Sequence, residues 1–285
     1  MRVLVAGASG AIGRGVVALL RKRGDTVRAL VRRARPAGAL GEGVEIRALD
    51  AARAEALAGI CEGVDAVVSC LGAPVSMSFG ARASYLSVDT PANERLLDQA
   101  LRANVSRFVY VSLHVEPAYA HTAYVRAHEH VVDRLRRADT LTGTVIRPTG
   151  LYCAMADFLG LARRGFAPLI GDGRARTNPV HEEEVAAACV DALGGGPGDV
   201  ELGGPEVLTR REIVELAFAA LGRRPRLLRV PPWLFRAMGA LARPLHPRMG
   251  ELMRFFAAVA ATDAVAPARG HMRLSEYFAA RVAAR

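Results

Sequence analysis

The stretch Arg2-Val3-Leu4-Val5-Ala6-Gly7-Ala8-Ser9-Gly10-Ala11-Ile12-Gly13 opens this chain of 285 residues and decides its fold. Residues 2–6 are aliphatic and β-branched, which predicts a short buried strand. After the glycines, apolar residues recur at helical spacing as far as Leu20, which predicts a helix. A strand, a glycine-rich turn and a helix in this order form the setting in which main-chain amides bind a pyrophosphate. The alternative is a tight turn that binds nothing.

Each glycine of the turn has a separate role in the predicted site. Gly7 permits the tight turn, Gly10 lets the main chain approach an anion closely, and Gly13 lets the helix pack on the strand. The helix then directs its unpaired N–H groups and partial positive charge at the phosphates. The predicted cofactor contacts in this turn are Gly7, Ser9, Gly10, Ala11, Ile12 and Gly13.

The bulk composition excludes several classes of protein. A hydrophobic content of 51% is enough for one large α/β domain, or for one domain and a half. We expect no signal peptide, because the first strand begins at residue 2, and no membrane span, because the longest apolar stretch, residues 255–261, is short. The cysteines form no Cys-x-x-Cys pair, so neither disulfides nor a metal site are expected. These features favour a cytoplasmic protein.

The formal charge of +10 does not by itself indicate a nucleic-acid partner. Lys22 is the only lysine among the 38 basic residues, and arginine is spread along the chain without long runs. Together with heavy use of alanine and glycine, this skew is typical of genome-wide codon bias. We therefore predict a small-molecule substrate and no nucleic acid, while the sequence leaves the oligomeric state open.

Apolar runs alternate with helical patterns through the first two-thirds of the chain. The predicted later strands are residues 26–31, 44–49, 64–70, 108–111 and 142–146, and the clearest helices are residues 90–103 and 123–138. Strands separated by helices predict an α/β fold, a Rossmann-type doubly wound parallel sheet whose ligands lie at the carboxyl ends of the strands.

From residue 151 the pattern becomes irregular. We assign residues 1–150 to a dinucleotide-binding domain and residues 151–285 to a smaller C-terminal substrate lobe, with a helix over 183–193 that returns to the first domain. The Thr209-Arg210-Arg211-Glu212 stretch has capping-box spacing and predicts a helix that begins there and runs to Leu221, with Gly222 as its terminator.

The end of the second predicted strand indicates which dinucleotide binds. An NAD site normally has an acidic residue there, which accepts a hydrogen bond from the ribose 2′-hydroxyl. Here the strand ends with Arg32 and Arg33, and the nearest carboxylate, Asp25, precedes the strand. Guanidinium groups suit a 2′-phosphate, so NADP(H) is predicted in preference to NAD(H), unless both arginines are only solvated loop residues.

Two further strand ends carry predicted cofactor contacts. Asp50 follows the third strand, where it either accepts a hydrogen bond from the adenine amino group or caps a helix that begins at Ala51. Leu71 and Gly72 follow the fourth strand, where a glycine lets the cofactor ribose lie against the backbone.

These motifs resemble the short-chain dehydrogenase/reductase superfamily, in its atypical or extended branch of NmrA-like and complex I accessory-subunit-like proteins. The resemblance covers nearly the whole chain and rests on residues 7–13, 27–32, 63–69, 107–112, 146–150, 178–181 and 202–209. It implies the Rossmann fold and a dinucleotide, and is much less specific for the reaction.

The resemblance also implies catalytic residues. In active members a Ser orients the substrate carbonyl and a Tyr donates the proton, which places Ser112 and Tyr124 in these roles. A Lys four residues after the Tyr shares its helix face, lowers the pKa of the Tyr and holds the nicotinamide ribose. His128 stands at that place, and no Tyr-x-x-x-Lys exists because Lys22 is the only lysine. Structural roles for Ser112, Tyr124 and His128 are the alternative.

His128 replaces the lysine cation only if its own pKa is raised. Glu116 and Glu129 are carboxylates that would raise this pKa if they lay near the ring. A neutral His128 would still hydrogen-bond the ribose.

The residues expected near the substrate end of the cleft are Arg147, Thr149, Tyr152 and His181. Arg147 and Thr149 end the sixth strand, and His181 belongs to the matched stretch 178–181. For His181, bracing of the two lobes is an equally good interpretation, and Tyr152 equally suits the core of the lobe.

The C-terminal segment from Pro231 to Phe256 combines large apolar residues with arginines, which is typical of a helix that lies on a membrane surface. Pro244 and Pro247 would break any continuous helix. Docking of this face on the body of the protein is the alternative to a peripheral membrane contact.

Two functions compete. The first is an NADP(H)-dependent oxidoreductase that transfers a hydride to a small, fairly apolar carbonyl, quinone or enone. The second is a non-catalytic redox sensor or structural subunit that binds NAD(P). The missing lysine favours the second, whereas Ser112, Tyr124 and the cleft motifs favour the first, which we prefer. An epimerase or dehydratase acting on a nucleotide sugar would depend most on the Tyr–Lys pair.

Overall fold

The computed structural model describes residues 1–34, 36, 38–51, 57–72, 85–195 and 198–284. The strands are β1 (Arg2–Ala6), β2 (Thr26–Val31), β3 (Glu45–Ala48), β4 (Ala66–Ser69), β5 (Arg107–Val111), β6 (Thr142–Pro148), β7 (Ala167–Ile170), β8 (Arg176–Thr177), β9 (Asp199–Leu202), β10 (Leu208–Thr209) and β11 (Leu227–Val230). The helices are α1 (Ala11–Lys22), α2 (Tyr85–Arg102), α3 (Pro117–Ala120), α4 (Ala123–Arg136), α5 (Tyr152–Met155), α6 (Asp157–Arg164), α7 (Glu182–Ala192), α8 (Arg210–Ala219), α9 (Pro232–Ala242), α10 (Pro247–Val259) and α11 (Leu274–Ala283).

Seven strands form one parallel sheet in the order β3-β2-β1-β4-β5-β6-β9. The chain moves outward from β1 to β3, then crosses back to β4 on the other side of β1. In such a sheet the ligand crevice lies at this switch point, outside the carboxyl ends of β1 and β4. The prediction of a Rossmann-type α/β fold is confirmed.

Helices cover both faces of the sheet because its central strands are apolar on both sides. On one face α1 and α7 pack against β1 around Val3 and Val5. On the other face α2 and α4 pack against β4 and β5, around Val67 and Phe108. The site residues that follow each strand are therefore held between two rigid layers.

A smaller lobe is built mainly from α5, α6, α8 and α11, which enclose the buried rings of Tyr152, Phe218 and Phe278. It carries two small sheets, β8 with β10 and β7 with β11. The capping box at Thr209 is present and begins α8. Two segments after residue 150 return to the large sheet: α7 packs on α1, and β9 pairs with β6. The return of β9 was not predicted.

The C-terminal segment forms two helices rather than one. α9 ends at Ala242 and α10 begins at Pro247, so the break expected at the prolines is confirmed. α10 buries Leu252, Met253 and Phe255, whereas the outer face of α9 is exposed. Within the described residues, no helix is long and apolar enough to cross a membrane.

Gly15→Ala tests the contact between α1 and α7. A Cβ at Gly15 would lie 2.8 Å from the Cβ of Ala186, so the helices must separate. We expect the free energy of unfolding to fall by roughly 1 kcal/mol, the overpacking cost less the gain in helix propensity. At Gly160 in α6 an added Cβ meets no described atom within 4 Å. Gly160→Ala should therefore raise the free energy of unfolding by about 0.5–1 kcal/mol. Chemical denaturation measures both changes, and changes of the same sign would contradict this packing.

Candidate dinucleotide and substrate site

The turn between β1 and α1 has no space for side chains at two of its glycines. Gly7 has a φ of +75°, and a Cβ there would lie 2.6 Å from the carbonyl oxygen of Cys70. A Cβ at Gly13 would lie 2.3 Å from the carbonyl oxygen of Gly7 and 2.8 Å from the Cα of Ala8. Each obstacle is backbone that cannot rotate away, so the sequence must have glycine at both positions. The turn is thereby held against the end of β4.

The amino end of α1 is free to bind an anion. Its N-cap is Gly10, which offers no side-chain cap, and its first turn contains no acidic residue. The first N–H groups of a helix have no intrahelical acceptor, and together they carry a partial positive charge. A doubly esterified diphosphate fits such a cradle of amides, which agrees with the roles predicted for residues 7–13.

The arginines near β2 have different roles. Arg32 and Arg33 follow the strand directly, are exposed, and pair with no acidic side chain in the described part of the chain. Arg28 is buried within β2, where its Nε is 2.9 Å from Glu45 and its Nη1 donates to the carbonyl oxygen of Ile60 at 2.8 Å. Of these three arginines, Arg32 and Arg33 have guanidinium groups that are not engaged with the described chain, so they are the two that suit the predicted 2′-phosphate contact.

The carboxyl ends of β3 and β4 hold the remaining predicted cofactor contacts. Asp50 lies two residues after β3, but the helix expected from Ala51 falls on residues 52–56, outside the described part of the chain. Leu71 and Gly72 follow β4, and the carbonyl oxygen of Leu71 accepts a hydrogen bond from Asn93 at 3.2 Å.

Ser112 comes directly after β5, at the same edge of the sheet. Its main-chain N–H donates to the carbonyl oxygen of Ile146 at 2.8 Å. Its hydroxyl is buried and has no hydrogen-bond partner among the described residues. A buried hydroxyl without a partner is costly, so such a group is normally satisfied by an ordered water or by a ligand.

His128 lies in α4 between two tyrosines. Its ring packs edge-on against Tyr124, with centroids 4.9 Å apart, and its Nδ1 is 2.8 Å from the hydroxyl oxygen of Tyr110. Burial raises the pKa of Tyr110 well above its ordinary value, so that hydroxyl stays protonated. We assign the hydrogen bond as Tyr110 donating to Nδ1, which puts the imidazole proton on Nε2.

Nε2 of His128 is itself buried and has no hydrogen-bond partner within the described chain. The adjoining Cε1 lies 4.0 Å from where a Cβ of Gly72 would stand. A donor is therefore unpaired beside the end of β4, where the cofactor ribose is predicted. Together with Ser112 Oγ and the open end of α1, this atom fits a bound dinucleotide.

The environment of His128 opposes a cationic role. Burial, and then the charge on Arg147, lower the pKa of His128 to about 4, so the ring is neutral at pH 7. The two carboxylates considered for it are engaged elsewhere: Glu129 accepts from Arg147 at 2.7 Å, and Glu116 lies 3.0 Å from Nε2 of His114. A hydrogen bond from neutral His128 to the ribose remains a prediction.

Arg147 is paired within the protein. Its guanidinium is buried and binds Glu129 in bidentate fashion at 2.7 and 3.1 Å, and Asp199 at 2.9 Å. Burial opposes its charge, but these hydrogen bonds raise the pKa of Arg147 overall. Its position at the end of β6 was predicted correctly, whereas its partners on α4 and β9 make its role structural.

The other three expected substrate contacts are also used within the protein. The hydroxyl of Thr149 donates to the carbonyl oxygen of Asn178 at 2.5 Å. Tyr152 is buried and donates to the carbonyl oxygen of Met272 at 2.6 Å. His181 caps α7 by accepting from the N–H of Glu183, and its ring packs edge-on against Tyr152, which supports the bracing interpretation.

A family model described as NAD(P)H-binding matches residues 7–194. This chain belongs to that NAD(P)H-binding family. The match begins at the first glycine of the turn and continues through the returning helix α7. The resemblance to the atypical branch of the short-chain dehydrogenase/reductase superfamily is thereby confirmed.

Curated relatives of this NAD(P)H-binding protein include enzymes and a complex I subunit. Divinyl chlorophyllide a 8-vinyl-reductase, chloroplastic, of Arabidopsis thaliana is 27% identical over 90% of this chain and 66% of its own length. NADH dehydrogenase [ubiquinone] 1 alpha subcomplex subunit 9, mitochondrial, of the same plant is 34% identical over 37% of this chain and 26% of its own length. The chain thus spans less than two-thirds of the length of these relatives.

Solved structures show the same fold. UDP-glucose 4-epimerase of Thermus thermophilus, solved with NAD, superposes with a TM-score of 0.68 at 21% identity. The superposition covers 92% of this chain and 99% of the epimerase. At this identity the likeness establishes the architecture alone.

Two residues that the sequence analysis did not select shape the site. Asn93, fully buried in α2, accepts from Ser69 Oγ at 2.6 Å and donates to Leu71, so it positions the chain after β4. Tyr110 in β5 sets the tautomer of His128. A polar residue beside the apolar stripe of α2 was a signal for Asn93, whereas nothing in the sequence pairs Tyr110 with His128.

His128→Gln tests the buried neutral imidazole of the NAD(P)H-binding domain. Its pKa falls from 6.5 to about 4 on folding, so between these values the unfolded chain binds a proton that the folded chain does not. Stability present above pH 6.5 is therefore lost as the pH falls towards 4. Between pH 7 and pH 4 we expect the free energy of unfolding of the wild type to fall by about 3 kcal/mol more than that of His128→Gln.

Denaturation at both pH values measures this difference, with His121→Gln, a change at an exposed histidine, as the control that should follow the wild type. Identical pH dependence of His128→Gln and the wild type would contradict the buried neutral ring.

Arg147→Met tests whether this arginine is structural. Glu129 and Asp199 would lose their buried partner, and because both remain about one-third exposed we expect a loss of roughly 2 kcal/mol in unfolding free energy. Arg136→Met removes an exposed partner of the same Asp199 and should cost less than about 1 kcal/mol. Unchanged stability of Arg147→Met, with a raised KM for a substrate, would restore the substrate role.

Proposed function

We propose that this protein is an NADP(H)-dependent oxidoreductase that reduces a small, fairly apolar carbonyl, quinone or enone. The observation that carries the proposal is the buried, unpaired hydroxyl of Ser112 at the end of β5. A protein that only bound the dinucleotide would have no need to keep this polar group without a partner beside the predicted nicotinamide position. Membership of an NAD(P)H-binding family and the similarity to a reductase support it.

The proposed roles follow from the hydrogen-bonding capacity of each residue. Ser112 donates to the substrate oxygen and so orients and polarises it. Tyr124 gives its phenolic proton to that oxygen, and water restores the proton afterwards. The unpaired Nε2–H of His128 donates to a ribose hydroxyl and orients the nicotinamide. Bound NADPH would supply the hydride.

The absence of a lysine changes how Tyr124 works. The chain has no lysine at the fourth position after Tyr124 to stabilise the deprotonated phenol. Tyr124 is thus suited to donating a proton in reduction and poorly suited to removing one in oxidation. The proposed direction is therefore reduction.

A non-catalytic NAD(P)-binding sensor or structural subunit is the second candidate. The neutral state of His128 favours it, because the one residue at the lysine position supplies no charge to the tyrosine. The two candidates share the cofactor site and differ in turnover.

Turnover is tested by NADPH consumption against a panel of quinones, enones and aldehydes. With an accepted substrate, we expect Ser112→Ala and Tyr124→Phe to lower kcat by roughly 100-fold or more, because each removes a group that acts on the reacting oxygen. Ser106→Ala removes an exposed hydroxyl just before β5, at the opposite edge of the sheet, and serves as the matched control. Saturable NADPH binding without turnover across the panel would favour the sensor.

Cofactor choice is tested separately by fluorescence titration. Arg32→Ala combined with Arg33→Ala should weaken NADPH binding by roughly tenfold or more and leave NADH binding unchanged, because the lost hydrogen bonds are to the 2′-phosphate. Arg102→Ala, at an exposed arginine that ends α2, is the control. Tighter binding of NADH than of NADPH to the wild type would contradict the preference for NADP(H).

A further inference from the structure

The outer face of α9 is apolar and exposed. Trp233 is 63% exposed, Met238 48% and Leu241 82%. Leu245, just beyond the helix, is 82% exposed, and Leu228 on the neighbouring β11 is 55% exposed. Single exposed apolar residues are ordinary, but a cluster of large ones on a single helix and its flanks marks an interaction surface. We call these five residues and Leu234, which is 38% exposed, the α9 surface.

The segment of chain that carries the α9 surface has charged side chains of one sign. Between Glu215 and Glu251 the chain contains seven arginines and neither aspartate nor glutamate. Arg229, Arg236 and Arg243 are exposed beside the apolar side chains. A cationic surface with large apolar side chains is complementary to anionic headgroups that overlie hydrocarbon.

The α9 surface rests on a folded support. Gly239 of α9 meets α10 so closely that a Cβ there would lie 2.9 Å from the Cβ of Met253. The opposite side of α10 packs on α3 and on the start of α4. There the ring centroid of Phe255 lies 4.9 Å from that of Tyr124 and 5.9 Å from that of Tyr119. The exposure of α9 is therefore a property of the packed lobe and does not arise from a loose chain end.

We propose that the α9 surface binds peripherally to lipid bilayers that contain anionic lipids. Its apolar side chains enter the interfacial region, and its arginines remain at the level of the headgroups. A second copy of this chain suits the surface less well, because a two-fold symmetric contact would bring the same arginines against one another. A polyanion such as a nucleic acid would match the arginines but leave Trp233, Leu241 and Leu245 in water.

The first test is flotation of the full chain with vesicles of phosphatidylcholine, either alone or mixed with phosphatidylglycerol. We expect binding to the mixed vesicles and little to the neutral ones. Leu241→Glu combined with Leu245→Glu should lower the partition coefficient by at least about tenfold, because both side chains lose their place in the interface. Val207→Glu, a change at a residue 49% exposed outside residues 222–248, should bind like the wild type.

The second test separates charge from apolar contact. Replacing Arg229, Arg236 and Arg243 by Gln should weaken binding to the mixed vesicles by roughly 100-fold, about fivefold for each arginine. Replacing Arg102, Arg137 and Arg164 by Gln changes net charge equally at exposed positions elsewhere and should have a much smaller effect. Thermal melting checks that each variant folds, and if the leucine variant does not, the arginine variants decide alone.

Three results would overturn the proposal. The wild type fails to bind the mixed vesicles, or both variant sets bind as well as their controls do. The third result combines two measurements. Light scattering shows a dimer that the Leu241→Glu and Leu245→Glu variant converts to monomers, and neither the wild type nor this variant floats with vesicles. A second copy of the chain would then cover the surface. None of these readouts depends on turnover, so the oxidoreductase proposal stands or fails separately.

Discussion

The carbonyl oxygen of Gly7 lies 2.3 Å from where a side chain at residue 13 would begin, and the rest of the site depends on this close approach. Because Gly13 has no side chain, α1 starts directly against the turn, and its first amides face outward with no acidic side chain in the first turn. Gly7, at the start of this turn, lies against the main chain of Cys70 at the end of β4. A parallel sheet then brings the ends of β2, β4 and β5 to the same edge, where Arg32, Gly72 and Ser112 follow and where we propose that they form one site.

The catalytic end of the cleft differs from the superfamily pattern in its electrostatics. The cation expected after Tyr124 is replaced by a neutral imidazole whose Nδ1 is bound by Tyr110. Arg147 is a nearby cation, and its charge lowers the pKa of that imidazole further. Its guanidinium is paired with Glu129 and Asp199. The chain therefore offers hydrogen-bond donors rather than charge at this end, which is consistent with the proposed reduction.

Local patterns predicted the architecture well because they are set by neighbours in sequence. The bounds of β1 and β2 follow directly from their aliphatic runs, and the capping box at Thr209 is a contact across three residues. Contacts with partners that are distant in sequence could not be predicted. Arg147 ends its strand as expected, yet Glu129 and Asp199 stand 18 and 52 residues away in sequence. The hydroxyl of Tyr152 donates to Met272, 120 residues away, and the four residues of β9 are too few for their alternation to predict a strand.

Calorimetric titration of the full chain with NADPH, in the wild type and in Ala11→Asp, tests the phosphate-binding turn most directly. Ala11 is the first residue of α1, where an aspartate favours the helix itself and repels a phosphate. We expect saturable binding to the wild type, a loss of affinity of at least about tenfold in Ala11→Asp with no loss of stability, and a smaller effect of the uncharged Ala11→Asn. Absence of binding to the wild type, or equal affinity of Ala11→Asp, would contradict the assignment of this turn as the dinucleotide site.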